Sequence, residues 1–273
     1  MTTLICWAGA DSRATSSLYI ASDSRISWEG TQDYFDVGQK LFYSKNYPHA
    51  FGFSGLITGA QNLLNSLVRL IDNGYLNSNF DNETNALTIR DYFQNCFNHL
   101  PNNMKLELIK TVNIIHINRI NNSQKVKDIY FHVNLFTFSP KGCEVQILDI
   151  SSVSQILHIS GSGTSAFKSS DYLWEKFDPD NSRTSRSFFS AFCTSLETNQ
   201  DPYSGGAPQL LGLYRQGPVQ DFGIIWDNKN FIAGVETTTF SENVEWRNKT
   251  FERCDPWTKK LLQGAQPQPN FFK

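Results

Sequence analysis

The sequence contains few cysteines, and their spacing suits neither cross-links nor metal binding. There are five, an odd number, widely separated and without a C-x-x-C pair. Neither a disulfide framework nor a zinc knuckle is therefore indicated. The five histidines are equally scattered and form no pair at metal-ligand spacing. We expect no metal ion and no cofactor, and we expect the histidines to pack or to face solvent.

Charge of one sign and long apolar runs are also lacking. Lys and Arg number 24 against 26 Asp and Glu, a net charge of −2, which supplies no basic surface for nucleic acid or membranes. No apolar run approaches the ~20 residues of a membrane helix, and the first residues do not resemble a signal peptide. With 40% hydrophobic residues, the chain is too apolar for a disordered protein. We expect a globular cytoplasmic protein that binds neither nucleic acid nor membranes.

Along most of the chain, apolar residues recur with the period of a strand or of a helix. These patterns predict strands over 2–9, 17–22, 40–43, 50–53, 129–135, 145–148, 155–159, 210–214, 222–226 and 231–235. They predict helices over about 57–71, 88–100, 164–177 and 184–198. Groups of strands joined by hairpin-like connections, rather than βαβ alternation, favour an α+β fold over a doubly wound parallel sheet.

We see no internal repeat and no linker between two domains. Thirteen asparagines lie between residues 73 and 122, and asparagine favours turns and loops. Residues 236–273 are polar and include a Gln-Pro-Gln-Pro segment, which is typical of an extended terminus. We therefore predict one domain over 1–235, with an Asn-rich insertion at about 73–125, and an extended C-terminal tail over 236–273.

Thr2 follows the initiating methionine, and methionine removal is favoured when the next residue is small. Removal would leave Thr2 with a free α-amine beside its own hydroxyl. An amine of pKa ~8 can act as the base that activates the hydroxyl oxygen. Many cytosolic proteins begin with Met-Thr, so an ordinary N-terminus is the alternative.

Asp23 and Lys40 have a chemical logic as a pair. Asp23 directly follows an apolar strand, and Lys40 comes 17 residues later. A buried ammonium near the Thr2 hydroxyl would lower the hydroxyl pKa, and a carboxylate would hold that ammonium in place. Taken singly, a turn aspartate and a strand-edge lysine explain them equally.

Three segments rich in glycine could place backbone N–H groups beside a ligand. Gly52-Phe53-Ser54-Gly55 ends a strand before a helix, as an oxyanion hole requires, or as any tight turn does. The segment 161–166, Gly-Ser-Gly-Thr-Ser-Ala, formally matches the G-x-G-x-x-A dinucleotide pattern. It lacks a clear βαβ context and an acidic residue at the usual distance. The segment 201–206, Asp-Pro-Tyr-Ser-Gly-Gly, is typical of a plain turn.

The order of these motifs resembles the proteasome β-subunit superfamily of N-terminal nucleophile hydrolases, in particular its HslV-type and Anbu-like bacterial relatives. The resemblance covers roughly residues 2–70 and 155–235, and its most specific element is the segment 201–206. It implies a four-layer αββα sandwich, with two antiparallel sheets between helix layers. It also implies a polypeptide substrate and a homo-oligomer, a ring or a stacked assembly, and leaves an ATPase partner open.

The resemblance also implies roles for individual residues. Thr2 would be the nucleophile, Lys40 would lower its pKa, and Asp23 would orient Lys40. The Gly55 N–H would stabilise the oxyanion. The positions that would bind the Thr2 amine and the catalytic water are Ser162, Asp201 and Ser204.

Substrate preference follows from the positions that line the S1 pocket in this superfamily. They are Ile26, Gly38, Phe42, Phe53 and Ile57. Because they are mostly apolar, we predict cleavage after hydrophobic residues, unless these side chains belong to the core. The leading function is therefore a threonine peptidase. A catalytically silent assembly or protein-binding subunit, and an amidohydrolase acting on a small non-peptide amide, remain open.

Overall fold

The computed structural model describes residues 2–28, 33–55, 57–76, 81–121 and 128–267. For residues 57 and 58 it describes the backbone alone. Its strands are β1 (Leu4–Ala10), β2 (Thr15–Ser22), β3 (Ile26–Ser27), β4 (Tyr34–Phe35), β5 (Leu41–Tyr43), β6 (His49–Ser54), β7 (Asn113–Asn121), β8 (Ile129–Ser139), β9 (Gly142–Leu148), β10 (Gln155–Ser160), β11 (Gln209–Tyr214), β12 (Gln220–Asp221), β13 (Gly223–Trp226), β14 (Lys229–Ile232), β15 (Val235–Glu236) and β16 (Trp246–Asn248). Its α-helices are α1 (Ile57–Asp72), α2 (Asn82–His99), α3 (Asn102–Thr111), α4 (Thr164–Phe177) and α5 (Ser185–Glu197). Within these described segments, no helix combines the length and the apolar character needed to cross a membrane.

Two five-stranded antiparallel sheets form the centre of the molecule. The first sheet has the order β10-β1-β2-β11-β12, and the second has the order β5-β6-β7-β8-β9. A smaller sheet, β15-β14-β13-β16, and the β3–β4 ribbon complete the described strands. The prediction of an α+β fold built on antiparallel sheets is confirmed.

Strand β1 shows how the apolar sequence pattern places the sheets. Six of its seven residues are buried, so both faces of the strand must be covered. Ile5 and Trp7 face a core shared with α4 and α5, whereas Leu4 and Cys6 face a core shared with the second sheet. Successive side chains of a strand point to opposite faces, and one strand therefore contributes to two cores.

A third core lies between the second sheet and helices α1, α2 and α3. Phe51, Phe53 and Phe136 of the sheet pack there with Leu64 of α1 and Phe93 of α2. The apolar period of α1, with residues recurring three and four apart, supplies its buried stripe. The three cores together join helices to a sheet, the two sheets to each other, and the second sheet to the other helices.

Much of the Asn-rich segment is regular structure rather than loop. Helix α2 begins six residues before the predicted start, where the Asp81 side chain accepts a hydrogen bond from the Thr84 backbone N–H. Helix α3 and strand β7 were not predicted. Strand β7 pairs with both β6 and β8, because its isoleucines Ile114, Ile115 and Ile117 are all fully buried. That the segment is an insertion stays a prediction.

The polypeptide after residue 236 is folded onto the domain through residue 262 rather than extended. Strand β16 pairs in parallel with β13, and Trp246, Phe251 and Cys254 are buried. The Phe251 ring lies 5.6 Å from the Tyr19 ring, inside the core that contains α5. These three buried side chains attach a largely polar segment to the rest of the domain. The division of the chain at residue 235 stays a prediction.

Candidate active site

The predicted catalytic residues lie where strands of both sheets end. Thr2 precedes β1, Asp23 follows β2, Lys40 precedes β5, and Gly55 follows β6. Residues 161–163 follow β10, and the turn 201–206 leads towards β11. Six separate stretches of sequence therefore meet at one end of the two sheets.

Lys40 and Asp23 form a buried ion pair. The Lys40 ammonium Nζ lies 2.8 Å from Asp23 Oδ1 and also donates to the Arg25 carbonyl at 2.5 Å. Lys40 is 1% exposed and Asp23 is fully buried. Burial lowers the pKa of Lys40, and the neighbouring Asp23 carboxylate works against that shift. The geometry is that of a lysine oriented by a carboxylate.

The Asp23 carboxylate has three further donors, all from the backbone. Its Oδ1 accepts from the Thr3 N–H at 3.0 Å. Its Oδ2 accepts from the N–H groups of Arg25 at 3.1 Å and Gly205 at 3.0 Å. One carboxylate therefore ties the start of β1, the end of β2 and the turn 201–206 to the lysine.

A chain of hydroxyl groups converges on Asp201. Ser162 and Ser204 each donate to Asp201 Oδ2 at 2.6 Å, and the Thr3 hydroxyl donates to Ser204 Oγ at 2.8 Å. The three predicted accessory residues are thus in contact with one another. Thr3, the neighbour of Thr2, was not predicted to take part, although its place in the motif Met-Thr-Thr was visible.

The glycines of the segment 161–163 accommodate the first residues of the chain. A Cβ atom on Gly161 would lie 1.9 Å from the Thr2 carbonyl oxygen, and one on Gly163 would lie 1.7 Å from Thr3 Oγ1. Gly161 also has a φ of +92°. Strand β10 pairs antiparallel with β1, which is not the βαβ context of a dinucleotide site. The close approach of Thr2 and Thr3 accounts for the glycines.

Gly55 has a conformation that a side chain would not tolerate. Its φ is +106°, and a Cβ atom would lie 2.2 Å from the Thr111 carbonyl oxygen. The preceding residue, Ser54, donates to Ser160 Oγ at 2.8 Å. This hydrogen bond ties the turn after β6 to the turn after β10, so that Gly55 is attached to the segment surrounding Thr2.

The predicted substrate-binding residues fall into separate groups. Ile26 is half-buried and packs over Gly38, where a Cβ atom would meet the Ile26 side chain at 2.5 Å. Phe42 and Phe53 lie with ring centroids 6.4 Å apart, and both belong to the core beneath α1 and α2. Ile57 begins α1, and its side chain lies outside the described residues.

Gln209 is a buried residue of this region that the sequence did not reveal. Its side-chain Oε1 accepts from the Lys40 N–H at 3.1 Å. Its Nε2 donates to the carbonyl oxygens of Asp23 at 3.2 Å and Gly38 at 2.8 Å. Gln209 thus holds the backbone of Lys40 against that of Asp23. No local pattern marks it, because all three partners lie at least 169 residues away in sequence.

A second ion pair lies at the edge of the site. The Arg25 guanidinium binds both carboxylate oxygens of Asp36, at 2.7 and 2.8 Å, and donates to the Pro202 carbonyl. The Tyr34 ring stacks on the same guanidinium at 4.0 Å. Asp36 raises the pKa of Arg25. The pair connects the β3–β4 ribbon to the turn 201–206.

Within the described segments, no cluster of three or more His, Cys, Asp or Glu side chains is placed to hold a metal ion. The groups that the site does offer are a buried lysine, a carboxylate beside it, and a network of hydroxyls at the start of the chain. These are groups that can activate and position a nucleophilic hydroxyl.

No family model and no curated protein matches the chain. Solved structures do match. Anbu (ancestral beta-subunit) from Yersinia bercovieri is 13% identical, with a TM-score of 0.51 over 77% of this chain and 82% of that one. The Anbu complex of Pseudomonas aeruginosa, solved as a helical assembly, is 14% identical with a TM-score of 0.51 over 88% of each chain. An Anbu mutant from Hyphomicrobium sp. strain MC1 is 11% identical with the same TM-score, over 86% of this chain and 88% of that one.

At these identities the similarity concerns the fold. The matches extend over most of the chain and agree with the resemblance seen in the order of the sequence motifs. The chain therefore shares the fold of the Anbu (ancestral beta-subunit) proteins.

Proposed function

We propose that the protein is a threonine-type N-terminal nucleophile hydrolase that cleaves peptide bonds, with Thr2 as the nucleophile once Met1 is removed. The buried Lys40–Asp23 pair carries this proposal, because the same Asp23 carboxylate also accepts from the Thr3 N–H. Asp23 thereby links the lysine to the residue that follows Thr2. A buried ion pair is often no more stabilising than apolar side chains of similar size, so its place beside the first residues of the chain favours a functional role.

In the proposed reaction, Thr2 Oγ attacks the carbonyl carbon of the scissile bond while its proton passes to the Thr2 α-amine. The Lys40 ammonium lowers the pKa of the hydroxyl, and the Gly55 N–H stabilises the oxyanion, an interaction of about 3–4 kcal/mol in comparable sites. The C–N bond then breaks, and the α-ammonium returns its proton to the leaving amine. Water, oriented through Asp201 and its hydroxyl partners, hydrolyses the remaining ester and releases the carboxylate.

For substrate preference we propose cleavage after hydrophobic residues. The half-buried Ile26 beside Gly38 supports an apolar wall at this place. Phe42 and Phe53, which pack against each other in the core beneath α1 and α2, would form the closed end of the pocket. A pocket of this composition gains by burying apolar surface of the substrate and offers no partner for a charged side chain.

For the architecture we propose the four-layer αββα order. The three cores support it, since they join α4 and α5 to the first sheet, the two sheets to each other, and α1–α3 to the second sheet. In this order both sheets are covered on both faces, as the continuous burial of β1 and β6 requires.

We further propose that the chain forms a homo-oligomer, as a ring or a stacked assembly. Helix α4 exposes three large apolar side chains, Tyr172, Leu173 and Phe177, which is more than a solvent-facing helix needs. Native mass spectrometry tests this, and a monomer at micromolar concentration would contradict it. An ATPase partner stays a prediction, to be tested by co-purification with the assembled protein.

The nucleophile is tested with three variants and two readouts. Intact-mass spectrometry should show that Met1 is absent, and Thr2→Ala should abolish turnover of a fluorogenic peptide while Thr2→Ser retains part of it. Thr3→Val should slow the reaction without abolishing it, because Thr3 contacts Ser204 rather than the substrate carbonyl. Ser169→Ala, an exposed position on α4, is the matched control.

Four results would overturn the proposal. Retention of Met1, or normal turnover by Thr2→Ala, would exclude Thr2 as the nucleophile. A peptide β-lactone that labels Thr2 in an otherwise inactive preparation would point instead to a small amide substrate, which a panel of acyl amides would identify. Absence of both labelling and turnover would favour the catalytically silent subunit.

A further inference from the structure

A second cavity lies far from the candidate active site. It has a volume of about 260 Å³ and is lined by residues from the start of β6, the end of β7 and the helix layer, including His49, Asn118, Ile120 and Leu76. His49 is at the opposite end of β6 from Ser54, roughly 17 Å along the strand. The cavity is therefore separate from the residues that surround Thr2.

A buried polar side chain in this cavity is unpaired. Asn118 is fully buried, and neither its Oδ1 nor its Nδ2 has a hydrogen-bond partner among the described residues. It is the cross-strand partner of His49, so both side chains project from the same face of the second sheet. A buried amide without hydrogen-bond partners is unfavourable. Because Asn118 borders a cavity of this size, its amide can form hydrogen bonds with a ligand from outside the chain.

A series of hydrogen bonds determines which ring nitrogen of His49 carries the proton. Asn134 and Asn82 form a reciprocal amide pair at 3.1 and 3.2 Å, and the second Asn134 N–H points to His116 Nδ1 at 3.1 Å. His116 Nδ1 must then be an acceptor, so its Nε2 carries the proton and donates to His49 Nδ1 at 2.9 Å. His49 Nε2 is consequently protonated and is the ring atom left to donate.

Both imidazoles are neutral at neutral pH. Burial lowers the pKa of His49 to about 4 and that of His116 well below its usual range. Arg119 also borders the cavity, but its guanidinium donates to the Tyr214 carbonyl of the first sheet. No Asp, Glu or Lys is among the lining residues that the structure describes. A cation would lose its hydration without gaining a counter-charge, and the Arg119 side chain, one residue along β7 from Asn118, projects from the opposite face of the sheet.

We propose that this cavity binds a small neutral carboxamide. The carbonyl oxygen of such a ligand accepts from Asn118 Nδ2 and His49 Nε2, and its N–H donates to Asn118 Oδ1. The ligand and Asn118 thus form the reciprocal amide pair that Asn82 and Asn134 already form nearby. Leu76 and Ile120 provide apolar contact for the remainder of the molecule.

Binding is tested on the full-length protein by saturation-transfer NMR with isobutyramide. The controls are isobutyrate, which carries a charge, and 3-methyl-2-butanone, which can accept but not donate. Each lost hydrogen bond is worth roughly 1 kcal/mol, so both controls should bind about fivefold to tenfold more weakly. N-acetyl-glutamine methylamide, as a second amide probe, separates the side chain of a peptide from a small free amide as the source of the group.

Two variants test whether the ligand binds at Asn118. Asn118→Leu, close in size, should lose isobutyramide binding about tenfold or more and should be no less stable than the parent, since it removes an unpaired buried amide. Asn98→Leu, the same exchange at an exposed position on α2 outside the cavity lining, should bind as the parent does.

Three results would overturn the proposal. They are equal saturation transfer for amide, acid and ketone, unchanged binding by Asn118→Leu, and a crystal soaked in isobutyramide that shows only water in the cavity. If Asn118→Leu does not fold, the comparison of the three probes on the parent protein still decides whether the cavity prefers a carboxamide.

Discussion

At the scale of single residues, the Asp23 carboxylate is the point on which the candidate site depends. Four donors converge on its two oxygens, and three of them are backbone N–H groups from different segments. Such a carboxylate is positioned whether or not the lysine is present. The Lys40 ammonium, by contrast, is a buried charge that lies directly against Asp23 and gains its counter-charge there.

This asymmetry predicts the outcome of a double-mutant cycle. Asp23→Asn is expected to lower the free energy of unfolding by about 3–5 kcal/mol, because it removes the counter-charge of the buried Lys40 ammonium. Adding Lys40→Met to that variant should recover part of the loss, because the uncompensated charge is then gone. Urea unfolding of the parent, both single variants and the double variant measures the coupling. Strictly additive losses would show that the two charges do not interact.

At the scale of elements, the site is built from strand ends, and turns with special geometry connect them. Gly55 follows β6 with a φ of +106° and lies against the backbone of Thr111. Thr111 is the last residue of α3, so this close approach brings the helix end and the turn into contact. A side chain at residue 55 would push apart two elements that enclose the candidate oxyanion site.

Gly55→Ala is therefore expected to destabilise the protein by more than about 2 kcal/mol, combining an unfavourable φ with a backbone clash. Gly74→Ala is the matched control, since Gly74 has a φ of +86° but a Cβ atom there would meet no described atom within 4 Å. Only the backbone cost of about 1 kcal/mol should remain there. Thermal unfolding of both variants makes the comparison, and equal losses would mean that the Thr111 contact is unimportant.

The C-terminal segment is an element whose attachment depends on few residues. Phe251 is 7% exposed and packs on the rings of Tyr19 and Phe189. Its φ of +63° is unusual for a residue other than glycine. Burial of the ring offsets the backbone strain, and the segment after β16 is held against α5 for that reason.

Phe251→Ala should accordingly cost about 3–5 kcal/mol, the range for truncating a buried phenylalanine. Val235→Ala, at an exposed position on β15, should change stability by less than about 0.5 kcal/mol. Chemical denaturation gives both values. A small effect at Phe251 would mean that the segment is attached by its strand pairing alone.

At the scale of the whole molecule, two covered sheets force polar groups into the interior. His49 and His116 are buried in the second sheet, and burial lowers the pKa of each. His158 of the first sheet, partly buried, has a pKa lowered to about 4 in the same way. Asp221 behaves oppositely, since burial raises its pKa to about 6. Burial also raises the pKa of Asp171, so three histidines are opposed by two carboxylates, and the balance favours loss of stability in acid.

Stability is expected to fall as the pH drops from about 6.5 towards 4. In that window these histidines bind protons in the unfolded state but stay neutral in the folded state, so protonation favours unfolding. Asp221 opposes this, because the stability from its protonated form is present at low pH and is lost as the pH rises through about 6. For His49 alone the loss at pH 5 is about 2 kcal/mol. Urea unfolding at pH 7 and pH 5 measures the difference.

The matched variants are His49→Gln, which should weaken this pH dependence, and His99→Gln, at an exposed position of α2, which should leave it unchanged. A parent protein equally stable at both values would show that the buried rings do not control its acid response.

Local periodicity predicted most of the elements. The continuous apolar run of β1 and the helical spacing of α4 required no information from elsewhere in the chain, and α4 has the predicted bounds. Strand β7 was missed, because its asparagines favour turns when considered alone. Pairing with β6 and β8 and burial of its isoleucines override that preference.

The order of amino acids was enough to define which chemical groups are available: a threonine after the first methionine, an aspartate and a lysine 17 residues apart, and glycines at the ends of strands. The packing of the sheets was needed to bring Gln209 between Lys40 and Asp23, and to leave Asn118 unpaired in a cavity. Periodicity reports on neighbours along the chain. Hydrogen bonds and burial between distant residues depend on how the sheets and helices pack, which no local pattern contains.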